Sequence, residues 1–483
     1  MDVGITCLSD FILSEGPVVA VESLSARARA TAVSLNPTVT EPAADGEGSF
    51  QPPADGGSSP RLFDRPLWGK HRLWVRSEPS YEPDIRLYER SAYPPRPAGA
   101  LTQELGPSVR RFIRLGHERG LEVSFQIGAA APPGLRDEDR PRLPGGGLAS
   151  HPMAGTASLA SPAVRSYYRA YLTDLVRAYP EIDTIRVDWP EYPCYTLDEA
   201  FADFHPAANM DPALEREIAE VYRFLRAGLT NPILCDWIEA ARAGAPFVHL
   251  FGRIPALAEW LARKREIAIG YLRFLRNVMD DAGAAGITLA PNAFPPPFSL
   301  LTGLPFADIH EVAPWVGVKL YTMHWLQIVR FWTDDILAWL PALDESLVAE
   351  ALLLLFDVGD DLPRPLDPAD VRYPEPDEPH PVGDASQRRK IAQARLECRA
   401  RVEPIVHGYG TLEDFARRFR AAGASAGAEP AARVAAAPSA PAASGGPAPA
   451  VAARAAPRLW INRYGYLSDE KLDVIGARGR SAS

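Results

Sequence analysis

The sequence predicts an α/β fold, a single (β/α)8 or TIM barrel with long loop insertions that forms one domain over residues 1–483. Short apolar segments alternate with longer amphipathic ones, which is typical of parallel strands and the helices that cover them. Eight strand candidates can be counted in 483 residues, and eight is the number that closes such a barrel. No GxGxxG motif follows the first candidate, so the pattern does not indicate a nucleotide-binding open sheet.

The predicted strands share a short apolar run that ends at polar or aromatic residues. They are Ala32 to Asn36, His71 to Glu78, Leu121 to Gly128, Thr184 to Asp188, Gly286 to Asn292, Val316 to Tyr321, Glu403 to Tyr409 and Leu459 to Tyr464. Long helices are predicted before the third, fourth and fifth strands, at Thr102 to Arg119, Pro162 to Tyr179 and Pro255 to Ala282. Each helix ends near a glycine or proline, as helix ends often do.

Side chains along each predicted strand alternate between an aliphatic set and a polar set. The aliphatic set, such as Ile185 and Val187, would pack against the helices. The polar set, such as Ser124 and Gln126, would point into a closed barrel. Because barrel interiors are normally filled by branched apolar residues, polar side chains near the strand ends predict a lined pocket at the carboxyl-terminal mouth.

Three segments interrupt the alternation and are predicted to be insertions. Residues 41–69 are rich in Pro, Gly, Ser and Asp and would form a long loop after the first predicted strand. Residues 360–384, rich in Pro and Asp, would form a surface excursion. Residues 424–457 are mostly Ala, Pro, Gly and Ser, a composition that favours disorder because it offers few bulky apolar groups to bury.

The composition argues against several classes of protein, namely those that bind nucleic acid, hold a metal or span a membrane. The net charge of −10 and pI near 5.5 argue against nucleic-acid binding. The four cysteines show no CxxC spacing, and no HxH or HExxH motif occurs, so neither a metal nor another cofactor is expected. No apolar stretch reaches membrane-spanning length, and the apolar run 349–358 is predicted to be a buried helix. A cytoplasmic location is therefore expected, and the oligomeric state is left open.

The stretch Ile185 to Pro193 carries the best candidates for catalysis. Pro190 and Pro193 end the strand, which places Asp188 and Glu191 at its exit. A carboxylate pair of this kind performs acid-base or nucleophilic chemistry in glycoside hydrolysis. Arg186 would keep Asp188 ionised, which suits a nucleophile or charge-stabilising group, and would leave Glu191 or Glu78 as the proton donor. The alternative is that Asp188 pairs with Arg186 and that Glu191 has a structural role in its loop.

Polar and aromatic residues at the other strand exits are candidates for contacting a ligand. Flat rings beside carboxylates suit stacking on sugars, and together they favour a carbohydrate or related polyhydroxylated small molecule or oligosaccharide. The candidates are Arg76, Gln126, Arg186, Trp189, Tyr192, Asn292, Lys319, Tyr321, His324, His407, Tyr409, Asn462 and Tyr464.

Lys319 supports a rival function. It has the alternation of an inward-facing residue, and a desolvated amine can form a Schiff base with a carbonyl substrate, as in a lyase or aldolase. The other interpretation is that Lys319 balances the charge of Asp188 or Glu78. A third reading is a barrel that binds sugars without cleaving them.

The segment Pro180 to Tyr192 resembles the fourth-strand region of glycoside hydrolases of the (β/α)8-barrel superfamily, particularly their uncharacterised groups. Arg186 and Asp188 resemble the Arg-x-Asp of the α-amylase fourth strand, which implies a nucleophilic role for Asp188. The chain departs from these patterns elsewhere. Ile405 to Tyr409 offers no carboxylate at the seventh strand, and Pro291 to Ala293 offers none at the fifth. The resemblance therefore implies a glycosidase whose second catalytic carboxylate is not located.

Overall fold

The computed structural model describes residues 1–42, 74–244, 246–375, 377–427 and 458–478. Ten strands lie in these ranges. They are β1 (Asp2–Thr6), β2 (Ala32–Leu35), β3 (Thr38–Pro42), β4 (Trp74–Pro79), β5 (Glu122–Gly128), β6 (Thr184–Asp188), β7 (Thr288–Ala293), β8 (Trp315–Leu320), β9 (Arg401–His407) and β10 (Arg458–Asn462).

Eight of these strands form a closed parallel barrel, which confirms the predicted fold. Their order around the barrel is β1, β10, β9, β8, β7, β6, β5 and β2, with β2 returning to β1. The β1 strand closes the ring, since Thr6 pairs with Asn462 of β10 on one side and with Ser34 of β2 on the other. The sequence prediction missed β1, so its count of eight was reached with one wrong member.

That wrong member is the segment His71 to Glu78, predicted as the second barrel strand. Within the described residues it forms β4, which pairs antiparallel with β3 in a separate two-stranded sheet outside the barrel. The register places Glu78 opposite Val39 and Arg76 opposite Glu41. Both residues therefore lie in a hairpin and not on a barrel strand.

Fifteen helices are found in the described ranges, and the longer ones cover the barrel. They are α1 (Ser9–Glu15), α2 (Pro17–Glu22), α3 (Ala100–Glu118), α4 (Pro162–Ala178), α5 (Leu197–Ala200), α6 (Pro212–Ala227), α7 (Asn231–Arg242), α8 (Pro246–Arg253), α9 (Pro255–Asp281), α10 (Phe298–Thr302), α11 (Thr322–Trp339), α12 (Glu345–Leu355), α13 (Asp384–Glu397), α14 (Leu412–Gly427) and α15 (Asp469–Gly476). The three long helices predicted from sequence correspond to α3, α4 and α9, and the predicted buried helix near residue 350 to α12.

Local sequence explains several helix starts. Ser161 accepts a hydrogen bond from the backbone of Val164, and Pro162 occupies the first turn of α4, where a missing N–H costs nothing. Asp211 caps α6 in the same way. At α3 the cap comes from outside the helix, because the Glu78 carboxylate accepts from the backbone N–H of Thr102 at 2.9 Å.

The lower layer of the barrel interior is mainly apolar but holds the buried Glu403, which accepts a hydrogen bond from the Trp460 indole at 2.6 Å, and the upper layer is polar. Towards the amino-terminal ends of the strands, Ala32, Ala290, Trp315, Ile405 and Trp460 pack together as a small buried cluster. Above it lie the polar side chains predicted from strand alternation. The aliphatic set of each strand instead joins the large core between barrel and helices.

The three predicted insertions lie only partly within the described residues. Residues 360–384 contain one short 3-10 turn, Pro368–Asp370, among irregular segments. Most of the 41–69 loop and of the 424–457 segment lies outside the described residues, although 424–427 form the end of α14. Among the helices that are described, none has the length and apolarity needed to cross a membrane.

Candidate active site at the barrel mouth

The centre of the site is an ion-paired triad of Asp188, Lys319 and Glu191. Lys319 lies near the end of β8, and its Nζ is 3.1 Å from Oδ1 of Asp188 and 3.2 Å from Oε1 of Glu191. The two carboxylate oxygens are therefore at most the sum of these distances apart, about 6.3 Å. The sequence placed these three residues at one mouth, and the geometry brings them together.

Asp188 is the accessible member of the triad. Its side chain keeps 21% of its surface exposed, against 0% for Glu191 and 3% for Lys319. Its Oδ2 accepts a hydrogen bond from Nε2 of Gln126 on β5 at 3.3 Å. The cation beside Asp188 is Lys319, and the described contacts include no ion pair with Arg186, in contrast to the pairing considered from sequence.

Glu191 is enclosed by donors from other segments. Its oxygens accept from the backbone N–H of Phe294 at 3.1 Å and from the Thr302 hydroxyl at 2.7 Å, in addition to Lys319. Burial raises the pKa of Glu191, and the Lys319 charge and the Thr302 hydrogen bond oppose that shift. The arrangement holds Glu191 as a fixed anchor for the lysine.

Lys319 is a charged ammonium. Burial alone would lower its pKa, but the two carboxylates outweigh burial and raise the pKa above the ordinary lysine value. Its Nζ also lies 4.5 Å from the centre of the Trp189 ring, a favourable position for a cation. A Schiff base needs a neutral amine, so the geometry supports the charge-balancing interpretation of Lys319 and not the lyase.

Arg186 lies deeper in the barrel, below the triad. Its guanidinium is fully buried and stacks 3.7 Å from the Trp460 ring centre. It donates to Oδ1 of Asn292 at 3.1 Å and to the Thr6 hydroxyl at 3.4 Å. Burial lowers the pKa of Arg186 to about 10, so the residue remains a cation at neutral pH and supports the floor of the site.

Gln126 and Asn292 connect this floor to the triad. Nδ2 of Asn292 donates to Oε1 of Gln126 at 3.4 Å, and Gln126 donates in turn to Asp188. A polar network therefore runs from Arg186 to the partly exposed Asp188. Three neighbouring barrel strands, β5, β6 and β7, supply its members, and the alternation of polar residues along the predicted strands was the signal that located them.

A second group of predicted residues forms an aromatic wall beside the ends of β8 and β9. The Tyr321 ring lies 5.6 Å from the His324 ring and 5.1 Å from the His407 ring. Nδ1 of His324 is 2.7 Å from the Tyr195 hydroxyl. Burial lowers the pKa of His324 to about 3 and that of His407 well below its ordinary value. Both imidazoles are therefore neutral near pH 7.

Three predicted ligand-binding tyrosines have other partners. Tyr192, Tyr409 and Tyr464 are fully buried. Their hydroxyls donate respectively to Asp203 at 2.9 Å, to the carbonyl of Pro374 at 3.0 Å and to Glu15 at 2.6 Å. These tyrosines serve the core behind the site and do not present free hydroxyls to a ligand.

Of the remaining predicted residues, Asn462 lies at the barrel mouth, and Glu78 and Arg76 lie on β4 outside the barrel. Asn462 ends β10 and is 4% exposed, at the same level as His407 of the neighbouring strand. Glu78, predicted as a third catalytic carboxylate, is engaged by the backbone and hydroxyl of Thr102 at the start of α3, which removes it from the barrel mouth. Arg76 lies on β4, and its side chain is outside the described residues.

Sequence reasoning missed several residues that shape the site. Phe294 and Thr302 fix Glu191, and Trp460 covers Arg186. A stripe of tyrosines on α4, Tyr167, Tyr168 and Tyr171, lies near the end of β5. The spacing of this stripe, three to four residues along one helix face, was a signal present in the sequence. In the described part of the chain, no group of His, Cys, Asp and Glu is arranged to hold a metal.

No protein-family model and no curated protein matches the chain. Among solved structures, a β-galactosidase from the psychrophilic Marinomonas ef1 matches with a TM-score of 0.46 and 11% identity, covering 96% of this chain and 54% of that one. A β-galactosidase from Rahnella sp. R3 matches with a TM-score of 0.34 and 10% identity, covering 88% and 55%. A GH20 exo-β-N-acetylglucosaminidase from Vibrio harveyi, an inactive mutant, gives 0.30 and 12%, covering 69% and 40%.

The chain therefore spans about half the length of the solved structures that it matches. At these identities and TM-scores, the matches say nothing about activity. The barrel is established by its own strand pairing.

Proposed function

We propose that the protein is a glycoside-hydrolase-like enzyme that acts on a carbohydrate or related polyhydroxylated substrate, with Asp188 as the carboxylate that meets the substrate. The observation that carries the proposal is the partly exposed Asp188 side chain at the exit of β6, held in place by Lys319 and Gln126. Barrel enzymes place their reacting groups at this end of the strands.

The charge at Asp188 suits the chemistry of glycosidic bond cleavage. The transition state carries positive charge on the sugar ring, and a carboxylate stabilises that charge or attacks the anomeric carbon. Because Lys319 is shared by Glu191 and Asp188, it compensates one of the two negative charges at the mouth. Neutral donors and acceptors beside it, among them Tyr321 and His324, suit sugar hydroxyls.

Glu191 is the partner that we assign as proton donor. In the free site Glu191 is the ionised partner of Lys319. Burial raises its pKa, so loss of the Lys319 contact on substrate binding would let it take up the proton that a general acid donates. Its enclosure by Phe294, Thr302 and Lys319 means that substrate must displace at least one of these contacts before Glu191 can donate.

The same enclosure favours a second candidate function, a barrel that binds sugars without cleaving them. Glu191 already accepts from a backbone N–H, a hydroxyl and an ammonium. A carboxylate satisfied in this way serves equally well as a structural anchor. In this reading Asp188 accepts hydrogen bonds from sugar hydroxyls and no bond is broken.

The test is turnover and binding on a panel of aryl glycosides and oligosaccharides, with the full chain as wild type, D188N, E191Q and D236N. Asp236 is an exposed residue of α7 and is the matched control. We expect D188N to lower kcat/KM at least about 100-fold, the scale of a lost acid-base or nucleophilic group, and D236N to leave it unchanged. Turnover by D188N equal to wild type would contradict the proposal. Binding without cleavage of any glycoside would establish the second candidate.

A further inference from the structure

A cavity of about 340 Å³ lies where the ends of β2 and β5 face the β3–β4 hairpin. Asn36, which follows β2, lines one side, and Thr38 and Ser77 line the hairpin side. This volume is at the lower end of the range for small-molecule sites. The cavity is large enough for a small ligand.

The cavity adjoins the proposed catalytic carboxylate. Gln126 lines it and also donates to Asp188 at 3.3 Å. Gly128 lines it as well and pairs in register with Asp188 across the β5–β6 ladder. A ligand in the cavity would therefore reach Asp188 past a residue without a side chain, and Gln126 would contact both.

Tyrosine rings form much of the wall. Tyr81 and Tyr88 lie on one side, and Tyr167, Tyr168 and Tyr171 of α4 on the other. The Tyr168 hydroxyl is already engaged, since it donates to the Gly128 carbonyl at 2.6 Å and accepts from Ala131. Aromatic faces that alternate with a few polar groups suit a ring with an apolar face and polar edges.

Arg96 is the only charged side chain among the described residues that line the cavity. It is exposed, and the described contacts give it no ion pair. Most other arginines around the barrel are paired with Asp or Glu, for example Arg136 with Asp139 at 2.7 Å. A guanidinium presents a planar fork of donors that matches a carboxylate in two-point contact.

We propose that this cavity binds a sugar unit that carries a carboxylate, a uronic acid, with Arg96 pairing with the acid group while the tyrosines contact the ring. The proposal rests on the proposed function, because it takes the ligand at Asp188 to be a carbohydrate. It adds the class of sugar, which nothing at Asp188 itself specifies.

The test compares glycosides that differ only in the group at C6. Binding of 4-nitrophenyl glucuronide and glucoside, and of the galacturonide and galactoside, in both anomeric forms, is measured by calorimetry on the full chain carrying D188N, which prevents turnover. We expect a uronide to bind about two- to fivefold more tightly than its neutral counterpart, the scale of one exposed ion pair. The preference should shrink as salt is raised from 50 mM to 500 mM, because salt screens exposed charges.

Variants assign the preference to its source. In the same D188N background, R96Q should abolish the preference for uronides over neutral glycosides. R96K should retain part of that preference, because lysine keeps the positive charge but lacks the planar pair of donors of a guanidinium. Arg111, an exposed residue of α3, gives the matched control R111Q, which should leave the preference unchanged. Equal binding of uronides and neutral glycosides, or a preference that survives R96Q, would overturn the uronic acid proposal alone. Failure of every glycoside to bind would overturn both proposals.

Discussion

At the scale of single residues, the site depends on one lysine that serves two carboxylates. The chain has only five lysines, and the four in the described ranges, Lys264, Lys319, Lys390 and Lys471, are at most 3% exposed. Each has its ammonium bonded to oxygen atoms. Lysine is thus used in this part of the chain to hold buried oxygens in place, and Lys319 is the case where those oxygens are carboxylates.

Replacing Lys319 should destabilise the folded protein. In K319M, Glu191 would remain buried without its counter-charge, and we expect the free energy of unfolding to fall by about 3 kcal/mol. The double variant K319M/E191Q should lose less than the sum of the two single variants, because the residual buried charge is gone. Urea denaturation of the three variants measures this cycle. Additive losses would contradict a direct interaction between Lys319 and Glu191.

Two buried histidines predict a dependence of stability on pH. Burial lowers the pKa of both His380 and His407 well below the ordinary value of 6.5. Between their folded pKa and 6.5 the unfolded chain binds protons that the folded chain does not, so the free energy of unfolding falls as pH is lowered. Each contributes at most about 1.4 kcal/mol per pH unit.

Denaturation at pH 7, 6 and 5 measures this slope. H407Q should make it shallower, and H151Q, a change at an exposed histidine, should not. A slope that is identical in wild type and H407Q would show that His407 is not held neutral in the folded protein.

The residues of the site differed in how well the sequence could place them. Gln126, Asn292 and Lys319 were predicted to face inward because alternation along a strand fixes the face of each side chain. The enclosure of Glu191 was not predictable, since its partners Phe294 and Thr302 come from segments more than a hundred residues away.

At the level of secondary-structure elements, the segments that follow β9 and β10 are held together by hydrogen bonds to their backbone carbonyls. The ammonium of Lys471, at the start of α15, donates to the carbonyls of Gly408 at 2.9 Å, Gly410 at 2.6 Å and Tyr466 at 3.0 Å. It thereby joins the segment after β9 to the segment after β10, close to His407. Arg418 holds the same segment, since it donates to the carbonyls of His407 at 2.7 Å and Tyr409 at 2.6 Å.

We expect K471M to lower the free energy of unfolding by about 3 kcal/mol, because three buried carbonyls lose their donor. Chemical denaturation measures the loss. Arg420, an exposed residue of α14, provides the control R420M, which should change stability by less than about 0.5 kcal/mol. A similarly small effect of K471M would mean that water replaces the ammonium.

The segment 71–78 was assigned to the wrong element for a physical reason. A strand of a hairpin and a strand of a barrel share the same alternation of side chains, and the partner that distinguishes them is remote in sequence. Glu78 was therefore predicted at the barrel mouth, although it caps α3. The helices were predicted more accurately, since their periodicity and their terminal proline and serine residues are local signals.

At the scale of the whole molecule, the barrel is closed by pairing between its first and last strands. The β1 strand has only five residues and contains a glycine, so its sequence gives a weak strand signal. Gly4 is required because the Trp460 ring occupies the space where a side chain would lie. The number of barrel strands could be predicted from sequence, but the identity of the closing strand could not.

Closure by β1 predicts a large cost for a small change near the start of the chain. Ile5 is fully buried, and we expect I5A to lower the free energy of unfolding by about 3 kcal/mol. Ile85 is 70% exposed, and the matched variant I85A should change stability by less than about 0.5 kcal/mol. Equal effects of the two variants in urea denaturation would contradict the placement of β1 within the barrel.

The central claim is that Asp188 at the exit of β6 acts on a carbohydrate. The most direct measurement is kcat/KM of wild type and D188N on whichever glycoside of the panel the wild type cleaves fastest. We expect D188N to lose at least about 100-fold in kcat/KM, with the sugar still bound and the thermal stability close to wild type. Unchanged kcat/KM in D188N would contradict it.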